Sequence, residues 1–169
     1  MRKYLIISII GLGLANTTNA QTGIETKITS PSAVLEFASG TTKGIILPAV
    51  QTLPASPANG TFLFDARDAE KKIKMFENGG WVALSGTGNT TNLVDYSGLN
   101  ENNKKTVMGA LESNADGVLV LESTNKALVL PKISNPHLTV KSPYPGMMCY
   151  DTDRNALAVF DGTVWNYWK

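Results

Sequence analysis

One stretch near the end of the chain decides the fold: residues 147–168, which read MMCYDTDRNALAVFDGTVWNYW. Short apolar segments alternate there with polar turn residues, first Asp151 to Asn155 and then Asp161-Gly162. Asp-Gly between apolar strands is a strong hairpin signal, because both central residues of a type I′ turn need positive φ. The stretch therefore predicts a three-strand antiparallel meander, with strands at Met147 to Tyr150, Ala156 to Phe160 and Val164 to Trp168.

The same pattern occurs earlier in the chain. Three pairs of segments match in order: Lys43 to Pro48 with Lys126 to Pro131, Thr61 to Asp65 with Met147 to Asp151, and Phe76 to Trp81 with Phe160 to Trp165. The offset between matching segments stays between 83 and 86 residues. Such internal self-similarity is the sequence signature of a repeated structural unit, so two copies of one unit are predicted.

The predicted fold is mainly β, with two repeats of short antiparallel strands (three-strand meanders) joined by a polar linker. The first β-rich repeat spans 21–85, the linker 86–116 and the second repeat 117–169. Pro48 and Pro131 are expected to end their strands, because proline donates no hydrogen bond to a ladder.

The linker is rich in Asn, Thr and Gly, but it could hold one short helix from Asn100 to Leu111. Asn100 is a suitable N-cap, and Val107, Met108 and Leu111 would lie on one face of that helix. The pattern lasts barely two turns, so an irregular linker remains the alternative.

The first 20 residues have the layout of a secretory signal peptide. Arg2 and Lys3 precede an apolar run from Tyr4 to Leu14, and small residues stand at Thr18 and Ala20, where signal peptidase acts. That run is shorter than the about 20 residues that cross a bilayer as a helix. We therefore predict cleavage after Ala20 and no stable membrane insertion afterwards, so the protein is extracellular, on the cell surface or periplasmic. The alternative is a buried N-terminal strand.

Composition argues against several classes of function. The chain has 15 Lys and Arg against 14 Asp and Glu, so no nucleic-acid partner is expected. His137 is the only histidine, and no nucleophile or ligand set of the kind that a hydrolytic triad or zinc site needs accompanies it, so a surface loop histidine is expected. Cys149 is the only cysteine, which excludes an internal disulfide, and its strand position favours a buried, inert thiol. We predict no catalytic residue and no cofactor.

The weak metal candidates are Asp151, Asp153 and Asn155, which have the spacing that opens a calcium loop. An EF-hand loop needs glycine at position six and glutamate at position twelve, where this chain has Ala156 and Gly162. We therefore interpret the segment as a hairpin turn in which Asp and Asn side chains bond to the backbone, and we predict no metal.

The aromatic residues fall into two groups. Trp81 and Trp165 each follow a phenylalanine by five residues, and with Phe76 and Phe160 they are predicted to be structural, with both tryptophans buried. The second group is Tyr144, Tyr167 and Trp168, for the last two of which the first repeat offers only Ala83 and Leu84. These three are tentative ligand-binding residues, either for sugar stacking or for burial against a neighbouring chain.

The repeat motifs carry a resemblance to a known family. Lys43-Gly44 through Leu47-Pro48, Pro57-x-x-Gly60 and Phe160-Asp161-Gly162-x-x-Trp165 resemble the repeat of exported, tail-fibre-like surface proteins of Gram-negative bacteria. The resemblance covers nearly all of the chain after residue 20. It implies a structural or adhesive fibre component built from several chains. Members often have Arg after the proline, where this chain has Ala49 and Lys132, so Lys132 is a further tentative ligand-binding residue.

Three hypotheses of function follow. The first is an exported, non-enzymatic structural or adhesive surface protein of the fibre-like class, which forms a homo-oligomer, with a trimer favoured. Each repeat is small enough to be marginal alone, and if a long linker holds the two apart, other chains must cover their apolar faces. The second is a small carbohydrate-binding module that uses the exposed aromatics of the second repeat. The third is an exported hydrolase.

Overall fold

The computed structural model describes residues 21–94 and 105–169, and within them the chain is mainly β, as predicted. The predicted signal peptide and Asn100, the predicted helix cap, lie outside the described residues. The elements are β1 (Thr22–Ile24), β2 (Ala33–Phe37), β3 (Ile45–Ile46), β4 (Ala49–Val50), β5 (Phe62–Asp65), β6 (Lys72–Glu77), β7 (Gly80–Ala83), β8 (Thr106–Met108), β9 (Leu119–Leu121), β10 (Ala127–Val129), β11 (Lys132–Ile133), α1 (Pro136–Thr139), β12 (Met147–Asp151), β13 (Ala156–Phe160) and β14 (Trp165–Trp168).

Two sheets share one plan. In the first, β5, β6 and β7 run antiparallel and β4 lies parallel to β5. In the second, β12, β13 and β14 run antiparallel and β11 lies parallel to β12. In both sheets the strand that follows a proline therefore pairs with the first strand of an antiparallel set.

The last turns of the two sheets differ. Asn78 and Gly79, with φ of 50° and 79°, form the two-residue turn with positive φ at both positions that type I′ requires. Between β13 and β14 only Gly162 has positive φ, at 94°, so the type I′ turn predicted for Asp161-Gly162 is wrong. The Asp161 carboxylate instead holds a four-residue loop by accepting hydrogen bonds from the backbone N–H groups of Thr163 and Val164 at 2.8 and 2.9 Å.

The predicted helix ending at Leu111 is also wrong in its described part. Residues 106–108 form β8, which pairs in parallel with β9. The Thr106 N–H donates to the Val118 carbonyl at 2.9 Å, and the Glu122 N–H donates to the Met108 carbonyl at 2.8 Å. Gly109 then has φ of 92°, which a helix cannot continue through. A helix of two turns is only marginally stable by itself. Pairing with β9, which lies outside the predicted helix, therefore makes residues 106–108 a strand.

The two repeats are not held apart. Strand β3 of the first repeat pairs antiparallel with β12 of the second, and β10 of the second pairs in parallel with β2 of the first. One core joins both repeats: Leu47, Phe64, Ala66, Ile73, Leu84, Met148 and Val159. The repeats thus cover each other within one chain, and the argument that separated repeats need other chains for burial does not hold.

The parallel strands form the rest of the structure. The three-stranded sheet has the order β1-β2-β10, and β8 and β9 form a two-stranded sheet, so that the whole is solenoid-like.

Two glutamates, Glu36 and Glu122, come after equivalent apolar segments, and each accepts hydrogen bonds from the loop that precedes its strand. Glu36 accepts hydrogen bonds from the backbone N–H groups of Thr29 and Ser30 at 2.8 and 3.1 Å, and Glu122 accepts one from the Ser113 hydroxyl. No helix within residues 21–94 and 105–169 has the length and hydropathy that a membrane span requires.

We predict that Phe64→Ala destabilises both repeats together. Phe64 is fully buried in the shared core, so its truncation should lower the free energy of unfolding by about 3–5 kcal/mol. Hydrogen exchange should show the same loss of protection in β5 and in β13, because one core supports both. Leu138→Ala, at an exposed position on α1, is the control and should change stability by less than about 0.5 kcal/mol. Loss of protection confined to β5 would contradict a shared core.

Candidate subunit interface

The structure does not bring the predicted ligand-binding aromatics onto one surface. The Tyr144 hydroxyl accepts a hydrogen bond from the Val94 N–H at 2.8 Å, and the Trp168 indole N–H donates to the Leu84 carbonyl at 2.8 Å. Tyr167 lies on the other face of β14, since adjacent residues of a strand point to opposite sides. Its ring lies 4.4 Å from the Arg154 guanidinium carbon, and its hydroxyl accepts a hydrogen bond from Arg154 at 2.7 Å.

An open pocket of ≈ 470 Å³ contains only one of these aromatics. Tyr144 lines it together with Lys141 and Phe160, whereas Tyr167 and Trp168 do not. Lys132, the remaining tentative binding residue, is exposed at the start of β11, and its backbone forms an isolated parallel β-bridge with Ser39. The four residues therefore occupy separate places and do not form a common ligand platform.

Asp151, Asp153 and Asn155 have the contacts of a turn. The Asp151 Oδ1 accepts backbone hydrogen bonds from Asn135, Asp153 and Arg154 at 3.3, 2.9 and 3.3 Å. The Asp153 carboxylate accepts hydrogen bonds from the Ser134 hydroxyl at 2.8 Å and from the Asn135 amide. Asn155 has φ of 51°, a conformation that asparagine tolerates in turns. Within 21–94 and 105–169, no group of three or more His, Cys, Asp or Glu side chains is arranged to hold a metal ion.

A buried charge cluster that sequence reasoning missed lies at the equivalent place in the first sheet. Asp65 is fully buried, and its carboxylate accepts hydrogen bonds from Arg67 Nε at 2.8 Å, from Arg67 Nη2 at 2.6 Å and from Lys74 Nζ at 2.8 Å. The hydrogen bonds from Arg67 above all, and then those from Lys74, hold the pKa of Asp65 well below its usual range. The signal in the sequence was Lys74, a charged residue between the apolar Ile73 and Met75 in the middle of β6.

The second sheet does not repeat this cluster. The Asp151 Oδ2 is buried without a hydrogen-bond partner among the described residues, and Arg154 Nη1 lies 3.7 Å from it. Arg154 instead contacts Tyr167 and the Nδ1 of His137, which is 2.9 Å away. His137 is exposed on α1, at the surface as predicted. The contacts of Arg154 thus differ from those of Arg67, although the two aspartates occupy equivalent strand ends.

We predict that Asp65→Asn destabilises the protein at pH 7 by about 3 kcal/mol, because it removes the buried carboxylate that pairs with Arg67 and Lys74 and leaves buried Lys74 with Glu70 alone, 3.1 Å away. The unfolded pKa of an aspartate is about 3.9 and the folded pKa of Asp65 lies below it, so its contribution is present above about pH 4. That contribution is lost as the pH falls through the folded pKa. Urea unfolding between pH 7 and pH 2 should show a weaker acid dependence for the variant than for the wild type.

The control for Asp65→Asn is Asp68→Asn. The Asp68 side chain is fully exposed beside Lys71, so this substitution should change stability by less than about 0.5 kcal/mol. Equal effects of the two substitutions would show that the buried cluster does not stabilise the fold.

Cys149 is fully buried in β12, which confirms the predicted buried thiol. Burial, with a smaller effect of Asp151, raises the pKa of the thiol to about 12. We therefore expect no reaction of the folded protein with a thiol reagent at pH 8, and complete reaction of one thiol per chain in denaturant. Rapid labelling of the native protein would contradict this burial.

The tryptophans have equivalent partners, but the prediction that they are buried is wrong for the single chain. Trp81 lies opposite Phe76 with ring centroids 5.3 Å apart, and Trp165 lies opposite Phe160 at 5.5 Å. Both tryptophans are only half-buried, because they stand on β7 and β14, the outermost strands of their sheets. Each therefore packs against its phenylalanine and keeps part of its ring exposed.

The described part of the chain leaves many large apolar side chains exposed. They are Ile24, Ile46, Val94, Leu111, Val118, Leu119, Leu128, Leu138, Val164 and Trp168. Several lie on or beside the parallel strands. Association with another molecule would remove such side chains from water, which is favourable.

Comparison with known families identifies the class of protein. The model of the phage tail like trimerisation region matches residues 23–102 and 107–169, and the chain therefore belongs to that family. The match supports the tail-fibre-like resemblance, a structural rather than catalytic protein and a homo-oligomer, specifically a trimer. Comparison with curated proteins and with solved structures gives no match.

Proposed function

We propose that this protein is an exported, non-enzymatic structural component that forms a homotrimer, a short fibre-like or adhesive module outside the cytoplasm. The family match over most of the chain carries the proposal. The exposed apolar side chains support it, because a trimer offers them burial that the single chain does not. Export is supported by the signal-like layout of residues 1–20.

We also infer that 21–85 and 117–169 are copies of one duplicated unit on either side of the linker 86–116. Matching hydrogen bonds support this inference. The Gly60 N–H donates to the Phe76 carbonyl, and the Gly146 N–H donates to the Phe160 carbonyl, both at 2.8 Å. In a fibre-like protein such duplication lengthens the molecule while the chain keeps one type of building unit. The carbohydrate-binding alternative is not proposed, since its aromatics lie apart.

We predict that the exported protein is a trimer in solution. Light scattering on the chromatographed protein at micromolar concentration should give three times the chain mass measured by mass spectrometry under denaturing conditions. The same mass spectrum should place the N-terminus at Gln21, which tests the predicted cleavage separately.

A stable monomer at that concentration would overturn the proposed assembly, whatever the N-terminus proves to be. An intact N-terminus on a trimer would overturn only the predicted signal cleavage.

A further inference from the structure

We propose that Arg154 is the moving part of a pH-sensitive switch in the second sheet. At neutral pH its side chain links His137 of α1 to Tyr167 of β14, and when His137 takes up a proton, Arg154 turns to the buried carboxylate of Asp151. The switch goes beyond the proposed function and does not depend on the trimer, because all four residues belong to one chain.

The first argument concerns the hydrogens on one nitrogen atom. Arg154 Nη1 carries two N–H groups, with the Tyr167 hydroxyl at 2.7 Å and the Nδ1 of His137 at 2.9 Å as their acceptors. No hydrogen is left for the Asp151 Oδ2, which lies 3.7 Å from the same nitrogen. That oxygen is buried without a hydrogen-bond partner among the described residues. His137 and Tyr167 therefore compete with Asp151 for one donor.

The first sheet shows how an arginine behaves where these competitors are absent. Arg67 donates to the Asp65 carboxylate from Nε at 2.8 Å and from Nη2 at 2.6 Å. Strand pairing places Ala83 where the second sheet has its tyrosine. Counted from β4 and β11, Pro54 stands where the second sheet has its histidine. Neither side chain accepts a hydrogen bond, so the arginine of this turn pairs with the buried aspartate.

Protonation of His137 removes one competitor. A neutral imidazole accepts a hydrogen bond at one ring nitrogen, whereas the charged imidazolium has donors at both. In acid, the Nδ1 of His137 therefore stops accepting from Arg154, and two positive groups face each other at 2.9 Å. The released N–H turns to Asp151, an anion with an unused oxygen. Acid thus breaks the link between α1 and β14 and gives the buried carboxylate its partner.

The other ionisable groups around His137 keep their charge during this change. The Cys149 thiol of β12 stays neutral, because burial raises its pKa to about 12. Tyr167 of β14 stays protonated, because burial raises its pKa too. Asp153, in the turn after β12, is held by hydrogen bonds from the loop before α1, and Lys132 of β11 is exposed and acts on a carboxylate of β2. Histidine is the side-chain type of this cluster that changes charge between about pH 5 and 8.

The test uses two substitutions that fix the histidine position in one state each. His137→Gln provides an acceptor that never becomes charged, and His137→Lys provides a positive charge without an acceptor. The readout is the carbon NMR signal of the Asp151 carboxylate, followed from pH 8 to pH 5 in the exported protein. This signal changes when Arg154 donates to the carboxylate, and neither substitution alters Asp151 or Arg154 itself.

The Asp151 signal of the wild type should follow the titration of His137, which is measured on its ring protons in the same samples. At pH 8 the signal should match that of His137→Gln, and at pH 5 that of His137→Lys. Neither variant should show a step of its own between these two pH values, because neither changes charge at this position.

Two results would overturn the switch. One is an Asp151 signal that moves equally in the wild type and in His137→Gln, since the carboxylate would then respond to pH without the histidine. The other is an Asp151 signal that stays constant while His137 titrates. If circular dichroism shows that a substitution alters the fold, the two signals of the wild type decide by themselves, because their comparison needs no variant.

Discussion

The structure depends on one shared apolar core. Leu47 and Phe64 from the first repeat pack with Met148 and Val159 from the second. The Leu47 N–H donates to the Gly146 carbonyl at 3.0 Å and so joins the backbones of the two repeats at the same place. Units as small as one repeat are generally marginal without a partner. Each repeat is the partner of the other, and the antiparallel sheets are held in position by that contact.

Among the described residues, none of β8 or β9 belongs to the buried apolar clusters. The two repeats are joined by strand pairs, β3 with β12 and β2 with β10. Among the described strands, β8 and β9 pair only with one another. Apolar area that remains in water favours association, and the family to which the chain belongs is a trimerisation region.

Equivalent positions in the two repeats have different electrostatics. Asp65 is neutralised by Arg67 and Lys74, while the corresponding Asp151 holds a turn with one oxygen, and its other oxygen has no hydrogen bond within residues 21–94 and 105–169. Lys74 lies cross-strand from Leu63, and the corresponding residue of the second sheet, cross-strand from Cys149, is the uncharged Ala158. Two cations hold Asp65 in its ionised form, so protonation of this carboxylate at low pH weakens the shared fold.

The sequence by itself determined the features that depend on near neighbours. Alternating apolar residues and turn residues such as Asn78-Gly79 predicted a mainly β chain, and the strand position of Cys149 predicted its burial. Tertiary structure alone decided which strands pair across the repeats, that residues 106–108 form a strand, and that Trp81 and Trp165 stay half-exposed. The physical reason is the distance along the chain over which each interaction acts. Turn preferences act between residues a few positions apart. The pairing of β2 with β10 joins distant parts of the chain through burial of a common core, and no local sequence pattern encodes that pairing.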